Sequence, residues 1–426
     1  MTQHRGLPVG GGCGPMGGYK GRRPRRDGAG RDAGRVEPRV VCGQAQRPLA
    51  SFVGRGEASP PAGRGPRWAF LADPSLVRVS TALVSLAAML AAAGCADPAP
   101  PTPVEGPLEG CPAPGAGITI GGLTGSGADA TPSPVRRLVL MGGGPEEDGA
   151  ARRFAEAAAG GDIVVLRATG SLTSYPDYFS SELSPSPHPA SVTTIRTDTP
   201  PLADHPSVLC RLDRAEAIWL AGGSQWDYLG RWPQSVHVAI REAGQRGVAM
   251  GGTSAGAVSM GEAAFDARHG TVTSTEALAD PADASVSVGP SNMPQPELRN
   301  MIVDSHFTAR SREGRLLAFL GRLLAEHRSG SFVGIGIDEG AALEIEDDSY
   351  RVSSVRGGAV WMYEATGPAV AQPGRPLSLD GIRRVRLADG ASGRWPFLFD
   401  EAERVQGLVV EEGVVRVDAG SGAGVR

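Results

Sequence analysis

The chain has 426 residues, of which 41% are hydrophobic, and its 42 basic and 46 acidic residues give a formal net charge of −4. Its length allows two or three domains, and no apolar stretch reaches the ~18 residues of a membrane-spanning helix, which excludes a polytopic membrane protein. The charge is uneven, because residues 1–75 contain 13 basic and 5 acidic residues. The acidic remainder argues against a nucleic-acid partner, since phosphate binding needs a basic face.

The first 95 residues have the composition of a leader followed by an export signal. Residues 1–75 are rich in arginine, glycine and proline and have no apolar period, which predicts a disordered basic leader. This leader is either a binding tail or sequence upstream of the true start, and the second alternative fits the export signal directly after it. Arg78 precedes an apolar run over residues 79–93. Residues 76–95 therefore predict a signal peptide and an exported protein, either membrane-anchored or secreted or periplasmic.

Cysteines mark the end of this signal and one position in the body. Cys95 follows Ala92-Ala93-Gly94 and resembles the lipidated cysteine of a bacterial lipobox, although a lipobox often has leucine at the position of Ala92. Residues 96–134 are rich in proline, glycine and threonine, which predicts a semi-rigid spacer. Cys111 in this spacer and Cys210 in the body either form a disulfide in an oxidising compartment or remain two thiols.

From residue 135 onward, short apolar runs alternate with helix-length segments. This pattern favours an α/β domain with buried parallel strands over residues 135–410, followed by a tail over 411–426. We expect strands at 137–141, 162–166, 191–195, 217–220 and 248–250. The strand-rich text after residue 331 predicts the far edge of the same sheet and a closing hairpin layer. The run Gly142-Gly143-Gly144 lacks the other residues of a phosphate-binding loop and predicts a structural turn.

The motif Gly252-Thr253-Ser254-Ala255-Gly256 fits the pattern Gly-x-Ser-x-Gly. The pattern alone is weak in a chain with 61 glycines, but here it follows a predicted strand and opens a predicted helix over 255–264. Such a strand-to-helix elbow exposes the serine hydroxyl, so Ser254 is a candidate nucleophile. We expect the amide of Ala255 to be one oxyanion donor, with the second from Gly223 in the pair Gly222-Gly223.

A serine nucleophile needs a base and an acid that orients it. His306 lies at the end of a predicted apolar strand, where bases lie in α/β enzymes, and His269 is its only serious rival. The strand that ends in Asp338-Glu339 supplies two carboxylates. We choose Glu339 as the acid and keep Asp338 as the alternative. The order Ser, His, Glu differs from the Ser, acid, His order of α/β-hydrolases.

Three arginines follow the candidate base, namely Arg310, Arg312 and Arg315. They suit either a bidentate clamp for a substrate carboxylate or a solvated helix face. The body has no His-x-x-x-His or Cys-x-x-Cys spacing, so we expect neither a metal site nor a cofactor.

Together these motifs resemble peptidase family S51, which contains cyanophycinases and aspartyl dipeptidases. The resemblance rests on Gly222-Gly223-Ser224-Gln225, the Ser254 motif, Asp304-Ser305-His306-Phe307 with the arginines behind it, and Gly336-Ile337-Asp338-Glu339. It covers residues 135–370, and the cyanophycinase branch is the more similar one. It implies a three-layer α/β/α sandwich like that of class I glutamine amidotransferases, a mostly parallel sheet and a homodimer.

The resemblance also implies a reaction and a substrate. Ser254, His306 and Glu339 would form a catalytic triad, and the substrate pocket would be lined by Gln225, Asp304, Ser305, Arg310 and Arg315. Cyanophycinases release β-aspartyl-arginine dipeptides from a polymer with an aspartate backbone. They usually have glutamine at the position of Ser305, which puts the substrate in question rather than hydrolysis. The alternatives are an aspartyl dipeptidase-like hydrolase and a lipid-anchored binding protein without turnover.

Overall fold

The computed structural model describes residues 103–104, 108–197, 199–327 and 330–418. The predicted leader, signal peptide and lipidation site at Cys95 lie outside the described residues. The helices are α1 Asp148–Ala157, α2 Ser174–Asp177, α3 Pro206–Arg214, α4 Gln234–Arg246, α5 Ala255–Val258, α6 Ser274–Ala279 and α7 Glu313–His327. None of them is both long and apolar enough to cross a membrane.

The strands of the described residues form two sheets. In chain order they are β1 Pro103–Val104, β2 Ile118–Ile120, β3 Leu123–Gly125, β4 Arg137–Met141, β5 Asp162–Arg167, β6 Ser191–Thr197, β7 Ala217–Leu220, β8 Ala249–Thr253, β9 Ala263–Phe265, β10 Val288–Pro290, β11 Met301–Asp304, β12 Phe332–Ile337, β13 Ala341–Glu346, β14 Ser349–Ser354, β15 Val360–Ala365, β16 Ala369–Val370, β17 Ser378–Leu387, β18 Ser392–Arg394, β19 Gln406–Glu411 and β20 Val414–Val417.

The first sheet has the order β1-β3-β6-β5-β7-β8-β4-β13-β14-β18, with β2 also paired to β6. Its centre from β6 to β4 is parallel. Side chains of β4 alternate between the two faces. Leu138 and Leu140 belong to the core that contains α3 and α4, whereas Val139 and Met141 pack with α1. Helices therefore cover both faces, and the predicted three-layer α/β/α architecture is confirmed.

The second sheet has the order β10-β9-β11-β12-β15-β17-β19-β20, with β16 paired to β17. The segment after residue 331 was expected to form the far edge of the first sheet, and β13 and β14 do so. Strand β12 was expected there as well, but it lies in the second sheet. Gly334 and Gly336 leave room on one face of β12 for α7 and Phe307. A Cβ on Gly336 would lie 2.6 Å from the Phe307 ring, and one on Gly334 would lie 3.1 Å from Leu316.

Several segments differ from the expected boundaries. The helix expected over 255–264 is only the four residues of α5, because the chain turns into β9 at Ala263. Residues 118–120 and 123–125, within the expected spacer, pair with β6 as strands. Cys111 and Cys210 form a disulfide, which also ties this segment to α3. Strand β20 continues to Val417, beyond the expected domain end at residue 410.

Candidate active site

Ser254 stands at a sharp turn between β8 and α5. Its φ of 51° is in the left-handed region, which an L-residue adopts rarely and which serves here to turn the strand directly into a helix. The Ser254 N–H donates to the carbonyl of Met141, the last residue of the neighbouring β4, at 3.0 Å. The serine is therefore held at the carboxyl edge of the first sheet, with its side chain partly exposed.

His306 reaches this serine from the second sheet. It lies two residues beyond β11 and has a φ of 49°. Its backbone N–H donates to the carbonyl of Gly142 at 2.8 Å. Its Nε2 lies 2.8 Å from Ser254 Oγ, which is hydrogen-bond distance. The structure thus brings together the serine and the histidine that the sequence selected. His269 is exposed and makes no such contact.

Glu339 completes the chain of hydrogen bonds. It lies two residues beyond β12, and its Oε1 is 2.6 Å from His306 Nδ1. Asp338 is engaged elsewhere, since its two oxygens accept the backbone N–H groups of Thr308 and Ala359, each at 3.0 Å. The geometry therefore assigns the position beside His306 to Glu339 and gives Asp338 the role of fixing the surrounding loops.

One short segment holds all three residues in place. The successive carbonyls of Met141, Gly142 and Gly143 accept the N–H groups of Ser254, His306 and Gly340, the last at 2.9 Å. Gly143 has a φ of +85°, and a Cβ on it would lie 2.4 Å from Cε1 of His306. The glycine run that predicted only a structural turn is thus part of the site. Its position directly after a buried strand was the signal that sequence reasoning passed over.

The charges of the site favour a neutral histidine beside an ionised glutamate. Burial lowers the pKa of His306 below its usual value, the nearby cations Arg310 and Arg312 lower it further, and the hydrogen bond to Glu339 opposes both effects. The hydrogen bond from His306 also lowers the pKa of Glu339, with smaller contributions from Arg310 and Arg356. At neutral pH, His306 is therefore in the form that accepts a proton.

The residues expected to donate to the oxyanion differ in how close they lie to Ser254. Ala255 is the first residue of α5 and is buried directly behind the serine. Gly222 is the glycine that approaches Ser254, since a Cβ on it would lie 3.6 Å from Cβ of Ser254. Gly223 is exposed and faces Tyr228 and Ala168 instead. The structure therefore draws attention to Gly222 rather than to Gly223 as the neighbour of the serine.

Three residues expected to line the substrate pocket are buried in the protein. Asp304 and Arg315 are each 1% exposed and form a bidentate ion pair. Arg315 Nε lies 2.7 Å from Asp304 Oδ2, and Arg315 Nη2 lies 2.5 Å from Asp304 Oδ1. Arg312 adds a contact to Asp304 Oδ1 at 3.3 Å, and Ser305 is 2% exposed. None of the three is accessible to a ligand in this structure, and the expectation that they contact substrate stays a prediction. Sequence spacing alone did not reveal that the acid and the arginines neutralise one another.

The other two expected pocket residues remain accessible. Arg310 is exposed, and its guanidinium makes no hydrogen bond or ion pair within the described part of the chain. Gln225 is half-buried, and its Nε2 donates to the carbonyl of Phe265 at 2.9 Å, which leaves its Oε1 available. Both residues can therefore contact a ligand at the carboxyl edge of the sheets.

A buried carboxyl group next to the elbow had no sequence signal. Glu146 follows the glycine run, its Oε1 accepts from the Tyr175 hydroxyl at 2.7 Å, and Thr253 lies beside it. Burial raises the pKa of Glu146 above its usual value.

Among the described residues, no group of three or more histidine, cysteine, aspartate or glutamate side chains could hold a metal ion.

Comparison with known proteins agrees with the resemblance seen in the motifs. Residues 167–353 match the model of peptidase family S51, and this segment includes Ser254, His306 and Glu339. Over this segment the chain is similar to peptidase family S51. A cyanophycinase from Geminocystis herdmanii (strain PCC 6308) is 28% identical over 186 residues, which are 42% of this chain and 62% of that relative. The chain thus spans less than two thirds of that S51 relative.

Two solved structures also resemble the chain. A peptidase from an acI-B1 actinobacterium has a TM-score of 0.41 and 15% identity, covering 62% of this chain and 98% of its own. A putative peptidase E from Listeria monocytogenes EGD-e has a TM-score of 0.31 and 15% identity, covering 52% of this chain and 99% of its own.

Proposed function

We propose that this chain is a serine-type peptidase of family S51 in which Ser254 is the nucleophile, His306 the general base and Glu339 the orienting acid. The observation that carries the proposal is the hydrogen-bonded row from Ser254 Oγ to His306 Nε2 at 2.8 Å and from His306 Nδ1 to Glu339 Oε1 at 2.6 Å. A nucleophile within reach of a base that a third group orients is the arrangement that activates a serine.

The reaction follows from this row. His306 Nδ1–H donates to Glu339, so Nε2 carries the lone pair that takes the proton of Ser254 as its oxygen attacks the substrate carbonyl. The amide of Ala255 and a glycine amide from the pair 222–223 donate to the resulting oxyanion. His306 then gives its proton to the leaving amine, and the acyl-enzyme forms. Water, deprotonated by the same nitrogen, releases the acid and regenerates the serine.

The substrate we propose is cyanophycin or a related β-aspartyl peptide, cleaved as an exopeptidase. Support comes from the relative named a cyanophycinase and from Arg310 and Gln225, the accessible members of the expected pocket. Ser305 is buried, so the departure from glutamine at this position changes packing behind His306 rather than a direct contact with substrate.

We also propose that the protein is exported, with Cys95 lipidated. Support within the described residues comes from the disulfide between Cys111 and Cys210, because disulfides persist in oxidising compartments outside the cytosol. Mass spectrometry of the protein isolated from its membrane fraction tests this. A diacylglyceryl adduct on an N-terminal Cys95 peptide is the expected result, and an unmodified Cys95 within a longer peptide contradicts it.

The catalytic proposal is tested with cyanophycin and a panel of α- and β-aspartyl dipeptides, with products identified by mass spectrometry. We expect β-aspartyl-arginine from the polymer, and no turnover by Ser254→Ala. The matched control is Ser181→Ala, which removes an exposed hydroxyl bonded only to the carbonyl of Asp177. Cleavage of small aspartyl peptides alone would favour the dipeptidase alternative. Full activity of Ser254→Ala would refute the mechanism, and tight binding without cleavage by the wild type would favour a binding protein.

A further inference from the structure

A cavity of about 430 Å³ opens beside Glu339, the acid of the candidate triad. Its wall includes Thr308, Trp361, Arg356 and Arg386, and the carboxylate of Glu339 forms part of its edge. Ser254 does not line this cavity. The cavity is therefore adjacent to the reacting atoms but separate from them, which is where a group of the substrate beyond the scissile bond would lie.

The acids of this cavity already have partners. Asp338 is 5% exposed, and its oxygens accept the N–H groups of Thr308 and Ala359 and the indole N–H of Trp361, the last at 3.3 Å. Glu339 Oε1 accepts from His306. Neither carboxylate forms an ion pair with an arginine of the cavity within the described residues. The two arginines of the wall are therefore not held in ion pairs with the two carboxylates beside them.

The arginines, by contrast, are exposed and short of partners. Arg386 lies over the Trp361 ring with its guanidinium carbon 5.6 Å from the centroid, and its only hydrogen bond among the described residues is a long one of 3.5 Å to the carbonyl of Gly357. Arg356 makes no side-chain hydrogen bond or ion pair in the described part of the chain. The contact with the Trp361 ring helps to keep the Arg386 guanidinium at the cavity wall.

Arg310 adds a third positive charge near the same edge. It is exposed, and together with Arg356 it adds to the effect of the His306 hydrogen bond in lowering the pKa of Glu339. Three arginines lie around the two carboxylates of this edge, so one positive charge is in excess. A ligand carboxylate would restore the charge balance, and arginine forks bind carboxylates with paired N–H donors. A cationic ligand group would be repelled.

We propose that Arg356 and Arg386 form a subsite that binds a free carboxylate of the substrate beside the scissile bond. This inference rests on the proposed function, and it names the substrate feature that is recognised. In a polymer whose arginines are joined through their α-amino groups to aspartate side chains, each arginine keeps a free α-carboxylate. The polymer therefore presents one such anion at every repeat, whereas its guanidinium groups must lie elsewhere.

The test uses two substrates that differ in one group. Both contain two β-aspartyl-arginine units joined through the aspartate backbone, and in one of them the arginine carboxylates are replaced by carboxamides. We expect the wild type to have at least about tenfold higher kcat/KM on the carboxylate form, the gain of a charge-assisted contact. Arg356→Gln and Arg386→Gln should each reduce that ratio severalfold, because each removes a donor to the carboxylate form. Arg351→Gln, which alters an exposed arginine lining a different cavity, is the matched control.

Two further measurements separate this inference from the proposed function. Acylation of the wild type by a small activated ester without carboxylates reports on the serine mechanism alone. If the wild type reacts with the ester but does not distinguish the two peptides, the subsite is refuted and the serine mechanism stands. If the ester does not react, calorimetric binding of the two peptides decides. Preferential binding of the carboxylate form that Arg386→Gln abolishes would support the subsite even though catalysis failed, and equal binding would refute it.

Discussion

Replacing Gly143 by alanine should disable the candidate base without touching any of the three triad residues. Gly143 packs against the imidazole of His306, and an added Cβ would lie 2.4 Å from Cε1 and 2.6 Å from Nε2. Ordinary carbon contacts need roughly 3.5 Å. The carbonyl of Gly143 holds Gly340 at 2.9 Å, so the backbone cannot retreat easily, and the imidazole has to move.

The size of the effect follows from these distances. Relieving the contact requires a shift of about 1 Å, and such a misplacement costs about 10²-fold in rate. A shift of that size would also lengthen the 2.8 Å contact between Ser254 Oγ and Nε2 beyond hydrogen-bond range. Complete loss of the base would cost about 10²–10⁴-fold. The positive φ of +85° adds about 1–2 kcal/mol of strain to the folded state of the alanine variant.

The assay is the acylation rate with a small activated ester, measured together with urea unfolding. Gly247→Ala is the matched control, because Gly247 has a φ of +89° at the end of α4 and nothing lies within 4 Å of an added Cβ. Both variants should lose similar stability, and only Gly143→Ala should lose activity. A folded Gly143→Ala protein that acylates at the wild-type rate would refute the assignment of this glycine run to the site.

Three other predictions concern charge. Arg315→Gln should lower the free energy of unfolding by about 3–5 kcal/mol, because it leaves the buried Asp304 with only the 3.3 Å contact from Arg312 among the arginines. Arg310→Gln should change it by less than about 0.5 kcal/mol, and urea titration compares the two variants. Activity should fall as the pH falls through the pKa of His306, which lies below 6.5, because this histidine must be neutral to act as the base. Glu339→Gln should move this acidic limb of the pH profile to lower pH, because Glu339 raises the pKa of His306, and should cut kcat by up to about 10⁴-fold. Burial raises the pKa of Glu216 to about 7, so the folded state binds its proton more tightly than the unfolded state does. The free energy of unfolding should therefore decline between about pH 4.5 and 7, by at most about 2 kcal/mol. Glu216→Gln should remove this decline.

The sequence was most informative where the backbone pattern determines placement. The expected strands over 137–141 and 217–220 coincide with β4 and β7, because buried parallel strands read as uninterrupted apolar runs. Residues that follow such runs meet at the carboxyl edge of the sheets, so Ser254, His306 and Glu339 could be paired before their distances were known. The assignment to two sheets could not be predicted, since an apolar run shows that a strand is buried and not which strand lies beside it.

Side-chain partners were harder to predict. Arg310 and Arg315 look equivalent in the sequence, yet one is exposed and the other is 1% exposed against Asp304. The difference arises where α7 begins: Arg310 lies in the preceding turn and Arg315 on the buried face of the helix. A motif can therefore identify a cluster of charges before a reactive loop, but burial determines which charges stabilise the loop and which remain for a ligand.

Reaction and specificity depend on different parts of the candidate site. Backbone carbonyls of residues 141–143 hold the turns that carry the three candidate catalytic residues, so their row of hydrogen bonds depends little on the surrounding side chains. The accessible cations, in contrast, belong to loops and a strand edge outside that frame, at Arg310, Arg356 and Arg386. A substitution among these arginines can change which carboxylate is preferred while the acylation chemistry persists. We therefore expect substrate specificity to depend on these exposed arginines and acylation to depend on the backbone of residues 141–143.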